Sequence, residues 1–423
     1  MADALLVLLG DRVGGTLTRD RDRRLTFEYD EAYRATPDAT PLSVSMPIRV
    51  RQHHDRTVSP WLWGLLPDNE RVLRRWAERF QASPSSPFAL LGTPIGLDCA
   101  GAVRFVREEH LDEALTRPGT VHWLTDVEIG DRIRELRQDT TAWLGADFTG
   151  RFSLAGAQAK TALLCMDGRW GLPQGSAATS HIIKPAIAGF DDHDLNEHVC
   201  MRAAMHAGLV VAPTDLMFFD GECAVVVERY DRVVRDDGTR LRLHQEDVCQ
   251  ALGRHPSAKY QADGGPAPGD IAALFRRVMP SRVADDATWR FLDALVWNWI
   301  IGGTDAHAKN YSLILHGDDI RFAPLYDIAS GLPYSDEREI RLAMELGGDY
   351  RLHVQRPSTW STLAAELRLE HQDVRVRARS LVSAAPDAFD AAVSDVADLG
   401  TELPARLRAL ISARAERCLT MLE

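Results

Sequence analysis

Gly302-Gly303-Thr304-Asp305-Ala306-His307-Ala308-Lys309-Asn310 is the stretch on which the reading of this chain turns. Before it, Trp289, Leu292, Val296 and Trp299/Ile300 recur every three to four residues, the mark of an apolar helix. After it come two strand candidates, 311–315 and 320–322, joined by the turn Gly317-Asp318-Asp319. Leu325-Tyr326-Asp327-Ile328 follows the second of them. The order is helix, short polar loop, hairpin and a further carboxylate.

Asp305 and Asn310 are separated by four residues. That is the spacing of a protein-kinase catalytic loop, where the Asp accepts the proton of the acceptor hydroxyl and the Asn holds magnesium. Asp327 stands where a second metal-binding carboxylate is expected, although Ile follows it and no Asp-Phe-Gly occurs there. A loop Asp alone is more often a turn or cap residue. The ordered set gives it weight. Upstream, His181-Ile182-Ile183-Lys184 is a strand ending in Lys, as in the kinase strand whose Lys meets the nucleotide phosphates. Glu197, on the next helical stretch, is placed to pair with such a Lys or to be solvated. The stretch from Ser153 to Thr161, SLAGAQAKT, is rich in small residues whose backbone N–H groups can approach phosphate. It is not a Walker A loop, because Ala159 rather than Gly precedes Lys160. Val225–Val227 leads into Glu228-Arg229-Tyr230-Asp231-Arg232, a strand entering a polar segment suited to a hinge that reads adenine.

The 423 residues carry a net charge of −12, which argues against broad nucleic-acid or anionic-membrane binding by the chain as a whole. The cations divide into forty-five arginines and four lysines, Lys160, Lys184, Lys259 and Lys309. In such an Arg-biased chain a surviving Lys marks a place that needs a compact ammonium. The six cysteines form no CxxC pair and read as reduced thiols. The early apolar run, residues 4–9, is too short to span a membrane and has no basic region before it, so a cytoplasmic protein with no membrane partner is expected.

Turn residues and alternation divide the chain. Residues 1–110 read as an α+β subdomain, with Leu25, Phe27 and Tyr29 on one face of a strand. Residues 111–149 read as a linker with a helix at about 125–144. Residues 150–235 read as strands around one helix, at about 195–208. Residues 236–423 are mostly helical, including the tail from 357.

Several segments, in order, resemble the HipA family, the serine/threonine kinase toxins of type II toxin–antitoxin modules. They are PLSVSMP (41–47), GLLP (64–67), GLDCAGAV (96–103), LAGAQAKTALL (154–164), HIIK (181–184), Asn196-Glu197, VERYDR (227–232), HQEDVCQALG (244–253), KYQADGG (259–265), residues 304–310 and Tyr326-Asp327. The resemblance implies a two-lobed, protein-kinase-like α+β fold, with a nucleotide-binding lobe at 150–235 and a helical catalytic lobe at 236–423. It implies Asp305 as catalytic base, with Asn310 and Asp327 as Mg2+ ligands. ATP would be held by Ala155, Gly156, Ala157, Gln158, Ala159, Lys160 and Lys184, by Glu228, Arg229 and Tyr230 at the hinge, and by His307, Lys309, Asn310 and Tyr326 around the catalytic loop. Ser153 matches the family's autophosphorylated serine. A small helix-turn-helix antitoxin is the implied partner, with operator DNA reached only through it. The implied substrate is a protein, in the family's best-known members the aminoacyl-tRNA synthetase for glutamate. Two further readings share the same residues: a catalytically silent relative acting as corepressor, and a small-molecule kinase on the same core. The segment 259–265 has no assigned role.

Overall fold

The computed structural model describes residues 3–117, 119–145, 150–235 and 240–423. They form two compact units. The first comprises Met1–Pro185, Met217–Pro256 and Ser312–Ile320, and the second Ala186–Leu216, Ser257–Tyr311 and Arg321–Glu423.

The first unit opens with β1 (Asp3–Leu9), β2 (Arg12–Arg19), β3 (Leu25–Tyr29), β4 (Gln52–His54) and β5 (Val103–Val106). They make an antiparallel sheet in the order β4-β3-β2-β1-β5. The alternation expected at Leu25, Phe27 and Tyr29 is present, with all three buried. Helices Asp55–Gly64 and Glu70–Phe80 bury Trp61, Leu62, Val72 and Trp76 in the same core. Phe152, Leu154 and Ala162 belong to that core too, so the chain flanking SLAGAQAKT packs with the N-terminal sheet.

A second sheet contains β6 (Thr120–Trp123), β7 (Thr161–Met166), β8 (Arg169–Gln174), β9 (His181–Lys184), β10 (Thr214–Phe219) and β11 (Glu222–Glu228). Its order is β10-β11-β9-β7-β8-β6. The stretch expected to be a linker, 111–149, supplies β6 to this sheet and the helix Asp126–Gln138 to its core, through Ile129 and Ile133. That helix ends earlier than expected; residues 146–149 lie outside the described residues. Further along, β12 (Arg232–Val234) pairs with β13 (Arg240–Arg242), and β14 (His244–Asp247) with β15 (Ser312–His316).

One buried cluster joins distant parts of this unit. Asp98 meets Arg232 at 2.9 Å and Arg229 and Arg242 at 3.6 Å each, while Asp231 pairs with Arg229 at 2.8 Å and Arg232 at 3.0 Å. The Thr179 hydroxyl and N–H both donate to Asp98, at 2.7 and 3.0 Å. Burial pushes both carboxyls up, but the facing guanidiniums outweigh it and hold them below the ordinary range.

The second unit is built on the helix Ser281–Ile301, which is almost wholly buried over its last turns. Trp297 stacks on Phe389 at 5.9 Å, and Trp299 meets Trp360 edge-on at 4.8 Å. The tail is helical as expected, with helices Pro357–Leu367, His371–Ser394 and Leu403–Met421.

Removing one partner of a buried ion pair leaves charge uncompensated and costs about 3–5 kcal/mol. Asp98→Asn is therefore expected to lower the urea midpoint of the first unit by that equivalent at pH 7. Because the folded carboxyls are depressed, their contribution is present above pH about 4 and fades as pH falls through the folded values. The gap between wild type and variant should accordingly narrow in acid, read by tryptophan fluorescence.

Candidate active site

The catalytic-loop candidate begins where the long helix must stop. Gly302 closes that helix in the left-handed region, at φ +63°, and its N–H bonds back to Asn298. A Cβ there would lie 3.1 Å from Leu332. The fully buried Arg414 donates to the carbonyls of Trp299 and Ile300, at 2.8 and 2.9 Å, and so neutralises the negative end of the same helix.

Beyond Gly302 the loop is tied to itself. The Asp305 carbonyl accepts from His307 N–H at 2.8 Å and from Asn310 Nδ2 at 2.7 Å. Asn310 N–H bonds the His307 carbonyl at 2.9 Å, within a short 3-10 turn at Ala308–Asn310. His307, Lys309 and Asn310 are buried, whereas the Asp305 side chain is 62% exposed. His307 Nε2 stands 3.7 Å from Asp305 Oδ1. The loop thus presents one carboxylate outward from a fixed frame.

Asp327 is set by its neighbours. Leu325 bridges Val211, with N–H···O distances of 2.9 and 2.8 Å to Val210 and from Ala212. Tyr326 donates its hydroxyl to the Lys309 carbonyl at 2.7 Å, tying this segment to the catalytic-loop candidate. Asn196 and Ser330 exchange two hydrogen bonds, at 2.8 and 3.0 Å, just past it. Asp327 itself lies at φ +60°, an uncommon backbone state for a side-chain-bearing residue and one that clusters at functional sites.

The donor set suits magnesium. Asn310 spends its amide nitrogen on the loop, which leaves Oδ1 for a ligand, and Asp327 adds a carboxylate. Among the described residues no group of three or more His, Cys, Asp or Glu could hold a metal. Mg2+ needs no such cage, since it binds through one or two protein oxygens together with phosphates and water.

The nucleotide-binding candidates lie in the first unit, on neighbouring strands. β7 pairs with β9 through Thr161↔Ile183, so Lys160 and Lys184 stand at the same end of the two strands. β9 pairs with β11 through Lys184↔Val225 and His181↔Glu228, so the hinge candidate leaves β11 at the His181 end of β9, the end away from Lys184. Lys160 Nζ donates to the Ala155 carbonyl at 2.7 Å and lies over the Trp143 ring at 5.0 Å. Gly156 turns between them at φ +105°. Gln158 reaches the Pro185 carbonyl at 3.5 Å. Ser153 is fully buried; its hydroxyl donates to the Leu65 carbonyl at 2.8 Å and its N–H to the Asp98 carbonyl at 2.9 Å.

Arg229 stands apart from Glu228 and Tyr230. Its side chain is spent on Asp231, Thr179 and the Cys99 carbonyl, its N–H on the Ser180 carbonyl and its carbonyl on Arg232 N–H. Tyr230 donates its hydroxyl to Gln245. Sequence reasoning left Tyr260 without a role, yet its hydroxyl donates to Asp305 Oδ1.

The family models described as HipA-like C-terminal domain and HipA N-terminal domain match residues 152–389 and 5–106. The chain belongs to the HipA family. The serine/threonine-protein kinase toxin HipA of Shewanella oneidensis is 31% identical over 350 residues, covering 80% of this chain and 77% of that one. A Sinorhizobium fredii protein named "Putative kinase Y4mE" is 37% identical over 389 residues, covering 92% and 91%. The solved Shewanella HipA, in complex with HipB and its operator DNA, superposes with a TM-score of 0.85 at 26% identity over 99% of this chain and 98% of that chain. The kinase-like fold expected of a HipA-family chain is therefore the fold observed.

Gly156 gives a direct test of the backbone of the 153–161 segment. An added Cβ would meet only the flexible end of Lys160, at 2.6 Å, so the positive φ sets the penalty. Gly156→Ala should destabilise the first unit by about 1–3 kcal/mol. Faster protease cleavage near residues 153–160, against an unchanged second unit, is the expected readout.

Proposed function

We propose that this HipA-family chain is an ATP- and Mg2+-dependent serine/threonine protein kinase of a toxin–antitoxin module. The observation that carries the reading is the catalytic loop, in which Asn310 and His307 fix the Asp305 backbone while the Asp305 carboxylate faces solvent. Asp305 takes the proton of the acceptor hydroxyl as its oxygen bonds to the γ-phosphorus of ATP and ADP departs. Asn310 and Asp327 hold the Mg2+, which supplies neutralisation of phosphate charge. Ala155 to Lys160, with Lys184, cradle the phosphates; Glu228 and Tyr230 take the adenine edge. An adenine contact by Arg229 itself would first require its internal bonds to be released. His307, Lys309 and Tyr326 frame the loop. Phosphoryl transfer asks chiefly for positioning and charge stabilisation, and these residue types supply both.

Ser153 is the proposed self-phosphorylation site. Its buried hydroxyl means that the segment must leave its place to be phosphorylated. Once it carries close to two negative charges it cannot return beside Leu65 without an uncompensated buried charge. Phosphorylation therefore switches the phosphate cradle off. The complex of the Shewanella relative with HipB and operator DNA supports a small antitoxin as partner. A net charge of −12 fits DNA reached through such a partner.

Asp305→Asn should lower phosphate incorporation from labelled ATP by about 10²–10⁴-fold while nucleotide binding, measured by calorimetry, persists. Turnover like wild type would exclude Asp305 as base. Ser153→Ala should lose self-labelling, read by mass spectrometry, and keep transfer to proteins in a lysate.

A further inference from the structure

The segment 259–265 is built onto the catalytic loop. The Lys259 carbonyl accepts from Ala308 N–H at 3.2 Å. The Tyr260 carbonyl accepts from Asp263 and Gly265 N–H at 3.0 and 2.9 Å, closing a tight turn. Gln261 exchanges two hydrogen bonds with Glu345, at 3.2 and 2.8 Å, on a strand at Arg341–Leu346. The Tyr260 ring stands edge-on to His307, 4.9 Å between centroids at 80°. From this anchored position its hydroxyl donates to Asp305 Oδ1.

We propose that Tyr260 is a positioning residue for phosphoryl transfer, fixing the Asp305 carboxylate so that Oδ2 faces the acceptor hydroxyl. This rests on the kinase reading of Asp305. An exposed aspartate on a loop samples several rotamers, and only one of them is productive for a base. The buried His307 lies 3.7 Å from the same oxygen, beyond hydrogen-bond length, so Tyr260 makes the closer contact to that oxygen. A carboxylate has acceptor capacity for more than one donor, so a bond to Oδ1 leaves Oδ2 able to take a proton. Tyr260 neither gains nor loses a proton in this role. The turn beneath it is held by main-chain bonds, so the phenol is pre-organised and does not have to be recruited by substrate.

Tyr260→Phe keeps the ring against His307 and removes only the donor. A charge-assisted hydrogen bond of this kind corresponds to a loss of about 10- to 100-fold in kcat. The KM for the protein acceptor and the Kd for ATP should stay unchanged, as should the melting temperature. In the Asp305→Asn background Tyr260→Phe should cost nothing further, because it acts through that carboxylate. Replacement of Tyr260 by 3-fluorotyrosine, which keeps the hydroxyl, should retain kcat. An unchanged kcat in Tyr260→Phe overturns the proposal. So does a lower acceptor KM with faster ATP hydrolysis in the absence of acceptor, which would make the phenol an occupant of the acceptor's place. Equal activity of wild type and Asp305→Asn would instead bring down the kinase reading, and this inference with it.

Discussion

The first unit depends on a buried ionic cluster of two carboxylates and three guanidiniums. Asp98, Asp231, Arg229, Arg232 and Arg242 come from three stretches of chain, the last two joined by the β12–β13 pairing, and Thr179 adds a fourth. Charges this deep persist only when paired and hydrogen-bonded. Each guanidinium also finds main-chain carbonyls: Arg229 and Arg232 both bond Cys99, and Arg232 bonds Gly101. The cluster thereby fixes the GLDCAGAV turn against the exit of β11. Ser153 hangs from the same point, since its N–H bonds the Asp98 carbonyl. A packed apolar cluster could match the stability, but it would not set one register among four separate segments as directional forks do.

The second unit solves a different problem, which is to hold irregular chain still. Its proposed chemistry lies on loops, as is usual where a rigid scaffold positions reactive groups. The scaffold is the helix Ser281–Ile301, immobilised by aromatic packing and closed at its end by Gly302 and Arg414. From there the loop is secured by side chains that bond backbone: Asn310 to Asp305, Tyr326 to Lys309, Asn196 to Ser330. Asn310 does this with its amide nitrogen and keeps Oδ1 off the loop backbone. A structural and a proposed metal-binding role are therefore shared within that one residue.

Much of this was legible where the signal is local. The alternation at Leu25, Phe27 and Tyr29, the strand His181–Lys184 and the helix before Gly302 all follow from periodicity and are where they were expected. The kinase-like fold was legible through ordered motifs. The hidden parts depend on partners remote in sequence. β6 lies in a charged stretch with little apolar pattern, and it is a strand because β8 offers it an edge. Arg229 looked like one more hinge residue because nothing local shows that Asp98 and Thr179 wait for its side chain. Tyr260 had no readable role because its partner lies 45 residues on.

The scarcity of lysine now has a structural counterpart. Arginine stands where several acceptors must be met at once, as Arg229 and Arg232 do with carboxylates and carbonyls. There the planar, five-donor fork is the suitable cation. The four lysines occupy other settings. Lys160 puts one ammonium between a carbonyl and the face of Trp143, beside the turn at Gly156. Lys184 stands opposite at the end of the next strand. Lys309 is buried within the proposed catalytic loop, and Lys259 lies over the ring of Tyr260 at 5.4 Å. In a chain that uses arginine almost everywhere, three of the four lysines, Lys160, Lys184 and Lys309, are buried, each placing a single compact ammonium.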